Sequence, residues 1–258
     1  GVVIYFFIFL YASQVMRGVI EEKTSRVIEV IISSVKPFQL MMGKILGIAL
    51  VGLTQFLLWV LLSIAVISPV SNYFLNAKHY KEISAAQQPK IGMPVNGAVN
   101  NDSGETSSSK IVDFLGNQPW GWLITCFTFY FLVGYLLYAS MFAAVGSAVD
   151  SETDTQQFML PVSMPLILSM AMSGVVVTNP DGPIAFWFSI IPLTSPIVMM
   201  MRLPFAPPLW QLLLSMSLLL GTFFVSTWLA GRIYRTGILM YGKKSSWKEL
   251  VKWLFYKG

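Results

Sequence analysis

The sequence predicts an all-α, polytopic membrane protein. It should have five transmembrane helices, an amphipathic helix on the inner side and a re-entrant helical pair on the outer side. Three observations lead there. Of 258 residues, 55% are apolar (tyrosine included) and 11% are charged, less than half the ~25% charge of a soluble domain. The charges are missing from several stretches long enough to cross a bilayer. The Lys and Arg that remain are clustered. Such a composition excludes an ordinary soluble enzyme and a disordered chain.

Taken in order, residues 1–16 carry no charge and read as the first span. They lack a basic leader and a small-residue cleavage site, so they do not read as a signal peptide. The chain opens inside an apolar run with no initiator Met, which reads as a fragment of a longer protein. Residues 45–69, 120–149, 158–180 and 203–231 are also charge-free. Each exceeds the ~20 residues that cross the hydrocarbon core, predicting spans at about 45–69, 120–147, 158–178 and 209–231.

Residues 182–201 are charge-free too, but they hold Pro183, Pro192 and Pro196. Positive charge decides whether they cross. Residues 17–44 hold five Lys/Arg and the tail 232–258 holds seven, while Lys78, Lys81, Lys90, Lys110 and Arg202 make five elsewhere. Five spans put the first two groups together in the cytoplasm, whereas six would put the seven-charge tail outside. The positive-inside rule favours five. Segment 183–202 then becomes a re-entrant pair of short helices, with the turn at Thr194-Ser195-Pro196 and Arg202 at the outer headgroup level, its stem along apolar surface. The net charge of +5 is thereby explained by topology, without a nucleic-acid partner.

Residues 70–119, with Gln87-Gln88-Pro89, Asn96-Gly97 and Ser107-Ser108-Ser109, have linker composition and read as an extracytoplasmic loop with short helices at its ends at most. Residues 20–35 read as an amphipathic helix ended by Pro37. Ile20, Thr24, Val27, Ile28, Ile31, Ile32 and Val35 share one face; Glu22, Arg26, Glu29 and Ser33 share another, with Glu22 and Arg26 at the favoured i,i+4 spacing. It either anchors the loop at the inner membrane face or docks a cytoplasmic partner.

Motifs for chemistry are scarce. His79 is the single histidine, which excludes a catalytic triad and a multi-histidine metal site; Cys126 is the single cysteine, which excludes an internal disulfide. Gly237 through Lys243 fits GxxxxGK, but Lys244 stands where a phosphate-binding loop needs Ser or Thr, and a predicted span precedes it. Asp150, Glu152 and Asp154 cap a helix or form a cation-attracting vestibule. The fourteen methionines fill packing or line a soft-metal path. Thr54, Gln55, Ser163, Ser169 and Ser173 bond to helix neighbours and backbone, or line a substrate path.

The run Glu21-Glu22-Lys23-Thr24-Ser25-Arg26 through Glu29-Val30 to Ser33-Ser34-Val35-Lys36-Pro37, followed by Gly43-Lys44-Ile45-Leu46-Gly47, resembles the coupling-helix motif of type-2 ABC exporter permeases. Ile191-Pro192-Leu193-Thr194-Ser195-Pro196 with Met199 to Arg202 is similar to that family's outer re-entrant segment. The tail from Gly231-Arg232 to Gly242-Lys243-Lys244 looks like its NatB-like, sodium-export branch. The resemblance implies an ATP-driven export permease in the bacterial inner membrane, with its C-terminus cytoplasmic. It moves sodium, a drug, a peptide or a lipid. A second permease chain, identical or different, completes the path. This chain binds no cofactor; ATP and Mg belong to a separate ATPase subunit. Glu21, Glu22, Arg26, Glu29, Val30 and Ser33 would form the ATPase-coupling interface, and Pro192, Thr194, Ser195, Pro196 and Arg202 the outer gate. Family members have six spans with a large outer domain often following the first, so the first span would be missing here. A non-transporting scaffold that docks a cytoplasmic partner is the alternative.

Overall fold

The computed structural model describes residues 1–25, 31, 34–86, 120–149 and 152–238, without the side chains of 64, 67–86, 120 and 152–154. Among these residues all regular structure is helical. In chain order the helices are α1 (Val2–Thr24), α2 (Pro37–Ala86), α3 (Trp120–Ala148), α4 (Glu152–Ala171), α5 (Ser173–Thr178), α6 (Pro183–Ile190), α7 (Ser195–Arg202) and α8 (Leu209–Gly237). A 3-10 turn, Leu203–Phe205, follows α7. Five stretches are long and apolar enough to cross a membrane: Val2–Thr24, Pro37–Ser63, Gly121–Ala148, Thr155–Thr178 and Leu209–Gly237. That is the number expected from the sequence.

Several boundaries differ from expectation. The first helix does not stop near residue 16; it continues to Thr24, so Ile20–Thr24 forms its last turns rather than the start of a separate amphipathic helix. No proline interrupts 16–24, a single Gly18 is tolerated within a helix, and the buried stripe of α1 runs on through Val19 and Lys23. Pro37 does not end a helix but opens α2; at a first turn the missing N–H costs nothing. Helix also replaces much of the expected loop, since α2 continues to Ala86. Neither Gly nor Pro occurs in 70–86 to break it. The fourth span is broken at Met172, between α4 and α5.

The segment 183–202 forms no continuous helix. It makes two eight-residue helices, each far short of a crossing. The break lies at 191–194, slightly before the expected turn; Ser195 and Pro196 already open α7, where proline again loses no needed donor.

The chain divides into two compact units, Gly1–Gly52 with Trp120–Gly258, and Leu53–Pro119. The second is described only as helix over 53–86. In the first, α3 is central. On α1, Ile4, Ile8, Ala12, Val15 and Val19 are buried at three- and four-residue spacing, the signature of one helix face. They pack with Phe131, Tyr135, Phe142 and Ala143 of α3 in one cluster, and the Phe7 and Phe131 rings lie 4.6 Å apart. On another side of α3, Tyr130 and Leu137 pack with Leu212 and Leu219 of α8. Large apolar residues such as Leu160, Met164, Leu213 and Trp228 are exposed. In a bilayer such faces meet lipid or another chain at no cost.

Side-chain pairings orient the helices. Lys23, near the end of α1, reaches Ser147, near the end of α3. A Cβ on Gly237, at the end of α8, would lie 2.9 Å from the Ser147 carbonyl oxygen. The C-termini of α1, α3 and α8 therefore meet at one end of this unit.

Candidate functional site

At that end, the segment between α1 and α2 begins. Glu21 is exposed and Glu22 partly so. The Glu22 carboxylate lies 2.6 Å from the Lys44 ammonium, a partner on α2 that the helical wheel of 20–35 did not supply. Arg26, Glu29, Val30 and Ser33 lie outside the described residues, as do Val27, Ile28 and Ile32. Ile31 is helical, and its carbonyl accepts from the backbone N–H groups of Ser34 and Val35. Of the expected apolar stripe, Ile20 is buried but Thr24 and Val35 are exposed. Packing of α1 on α3 sets the phase of 20–24, so a wheel drawn for an isolated helix misplaces Thr24.

Lys23 was not among the expected functional residues, yet it is 1% exposed. Its ammonium donates to the Ser147 carbonyl at 2.8 Å. The signal was present in the sequence: Lys23 continues the buried spacing of Ile4, Ile8, Ala12, Val15 and Val19. Reading a new helix from Ile20 hid it.

Farther along α3 from that end, the broken pair packs against it. Tyr138 of α3 donates its hydroxyl to the Leu193 carbonyl at 2.6 Å. A Cβ on Gly134 would lie 2.8 Å from Pro196 Cβ, so only glycine allows α7 this close. Gly134 lies about 21 Å along α3 at ~1.5 Å per residue. The turn at 191–194 thus sits well within the length of α3 rather than at its start. Thr194 donates to the Phe188 carbonyl at 2.6 Å, tightening the turn from inside. Thr194, Ser195 and Pro196 are buried and Pro192 partly so.

The Arg202 stem does not run along an exposed apolar surface; its residue is 1% exposed. Nε donates to the Pro180 carbonyl at 2.7 Å and Nη1 to Ser189 Oγ at 2.6 Å. Nη2 lies 3.8 Å from the exposed Asp181 carboxylate. Ser215 of α8 donates to the Ser189 carbonyl at 2.7 Å, extending the network to a third element. Burial lowers the Arg202 pKa from its ordinary value and the Asp181 charge opposes this. A guanidinium nonetheless stays cationic and serves five donors. It clasps the α5–α6 connection to α6 and α7.

The remaining candidates are placed more simply. Ser163 donates to the Met159 carbonyl at 2.9 Å and Ser169 to the Pro165 carbonyl at 2.6 Å, each within its own helix. Met199 is buried among Tyr130, Leu203 and Leu212, a packing position. Cys126 is buried. Among the described residues no cluster of three or more His, Cys, Asp or Glu forms. The side chains of His79, Glu152 and Asp154, all of Asp150, and 239–244 of the GxxxxGK stretch lie outside the described residues.

The chain is similar to an uncharacterized Bacillus subtilis protein, YhaP, at 31% identity over 250 residues, covering 96% of this chain and 52% of that protein. It is similar to an uncharacterized Methanocaldococcus jannaschii protein, MJ1024, at 24% identity over 244 residues, covering 94% and 49%. The chain thus spans about half the length of the curated relatives it matches. No solved structure gives a significant match. The family model described as ABC-2 family transporter protein matches residues 1–232, nearly all of the helical frame described above. The chain is a multi-pass membrane protein and belongs to the ABC-2 transporter family.

Proposed function

We propose that the chain is the permease of an ATP-driven exporter of the NatB-like branch. It works as a pair of permease chains, identical or different, on separate cytoplasmic ATPase subunits that hold ATP and Mg. The cargo is a sodium ion, a drug, a peptide or a lipid, moved out of a bacterial cell. One observation carries the reading: the family match extends over 1–232, a range holding both the charged segment after α1 and the proline-broken pair. Residues 25–36 and the tail face the cytoplasm and 70–119 face outward.

In the cycle, closure of the ATPase subunits pushes the segment around Arg26, Glu29, Val30 and Ser33. The permease then rocks between two packed arrangements, driven by the differential affinity of nucleotide for one of them. The turn bearing Pro192, Thr194, Ser195 and Pro196, braced by Arg202, is the outer gate.

Arg26→Glu tests this. It leaves the apolar positions intact while turning a cation into an acid close in sequence to Glu29, and like-charge juxtaposition at an interface costs several kcal/mol. Permease abundance should hold while ATPase co-purification and stimulated ATP hydrolysis fall. Ile31→Asp should instead lower abundance, because an apolar position receives a charge. Native co-purification and coupling in Arg26→Glu would remove this segment as the docking surface.

A further inference from the structure

We propose that Lys23 is the positioning residue that ties the ATPase-docking segment to the permease core, so that displacement of 25–36 arrives at α3 and α4 as a rigid shift. The proposal rests on the ATP-driven reading above and assigns a role to a residue outside the docking surface.

The argument begins with what apolar packing cannot do. The α1–α3 interface is built from Ile, Val, Phe and Ala side chains. Such contact is close-packed but non-directional, so no single pair within it has the directionality of a hydrogen bond. A hydrogen bond from a buried ammonium to one particular carbonyl fixes axial register. Lys23 provides that bond, at 2.8 Å to Ser147.

The acceptor is well chosen. Ser147 lies in the last turn of α3, where carbonyls lack an intrahelical donor and the helix dipole is negative. A cation there gives such a carbonyl a donor and complements the negative end of the dipole. The backbone of α8 also comes close to Ser147, since a Cβ on Gly237 would lie 2.9 Å from its carbonyl oxygen. One residue thus gathers the ends of three helices.

The output side is short. α3 ends at Ala148 and α4 begins at Glu152, so a push on Ser147 reaches α4 through a brief connection. α4 carries Pro161 and Pro165 inside it and breaks at Met172. Prolines weaken the backbone ladder of a helix, making α4 a lever that bends at defined places. On the input side, Lys23 precedes the docking segment by a single turn. Glu22, its neighbour, grips α2 through Lys44, so the same turn braces both α2 and α3.

The test uses the whole permease–ATPase complex in proteoliposomes, with Cys126→Ala and a reporter, Thr178→Cys, on exposed α5. Fluorescein maleimide labelling is timed with ADP and with ATP plus vanadate. The native Lys23 complex should show a several-fold nucleotide-dependent change. Lys23→Met should retain ATPase co-purification but lose that change, and Lys23→Arg, which keeps charge and donors, should restore it. A Lys23→Met complex that keeps the nucleotide response overturns the proposal. So does a native Lys23 reporter that never responds, which leaves ATPase docking intact. A native chain that holds no ATPase overturns the functional reading itself.

If Lys23→Met fails to accumulate, reductive methylation of the native complex decides. Lys23 should resist modification in both nucleotide states, since a strut stays in place through the cycle. Modification of Lys23 on adding ATP plus vanadate would overturn the proposal.

Discussion

The Tyr138 hydroxyl and the Leu193 carbonyl lie 2.6 Å apart, joining the inner part of α3 to the turn between two helices too short to span. The turn breaks the backbone ladder, and its carbonyls need donors from elsewhere when they lie at membrane depth. α3 provides one through tyrosine, whose ring adds apolar contact on the way.

Removing that donor should be felt locally. Tyr138→Phe keeps the ring and leaves the Leu193 carbonyl without its partner. The expected loss is about 1 kcal/mol. Thermal unfolding in detergent should show a lower midpoint at unchanged expression. An unchanged midpoint would mean another donor takes over.

Arg202 should be irreplaceable by lysine. Three donors in one plane serve Pro180, Ser189 and Asp181, and a lysine ammonium lacks that fork. Arg202→Met should cost about 1–3 kcal/mol by unpairing buried acceptors. Arg202→Lys should recover little of it. Amide hydrogen exchange across 180–191 should quicken in both variants and stay slow in the native protein.

Two glycines of α8 should respond oppositely to alanine. A Cβ at Gly237 would meet Ser147 backbone at 2.9 Å, so Gly237→Ala should cost roughly 1–3 kcal/mol through overpacking. A Cβ at Gly221 meets nothing within 4 Å, so Gly221→Ala should be neutral or gain up to ~1 kcal/mol from helix propensity. Denaturation of the two variants side by side checks the difference; equal effects would contradict the close α8–α3 contact.

Sidedness is checked by labelling. In a Cys126→Ala background, Ser108→Cys should react with an impermeant maleimide on intact cells. Ser245→Cys should react only after permeabilisation. Labelling of Ser245→Cys in intact cells would place the tail outside and exclude five crossings from Gly1 onward.

Much of this protein was legible along the chain. Span number follows from charge-free length against bilayer thickness together with the distribution of Lys and Arg between the ends of the chain, both read along the sequence. The interruption of 183–202 follows from Pro192, which stands in the break and removes a backbone donor. What misled was also local. A helical wheel started at Ile20 assumed a boundary that α1 does not have. The linker residues of 70–119 begin only at Gln87, so the end of α2 at Ala86, farther than the short helix expected there, was set by the absence of a breaker in 70–86.

The sequence by itself determined the helical class, the five helices long and apolar enough to cross a membrane and the region in which the broken pair bends. A single segment meets those constraints with its own residues. Only the tertiary structure decided where Lys23, Tyr138 and Arg202 act. Lys23 and its acceptor are 124 positions apart and Tyr138 and its acceptor 55, so their pairing depends on how helices rotate and stack. For Arg202, an interface position and a buried clasp have the same local sequence. The difference is that Pro180, Asp181 and Ser189 fold back around it, which replaces the water a guanidinium otherwise needs.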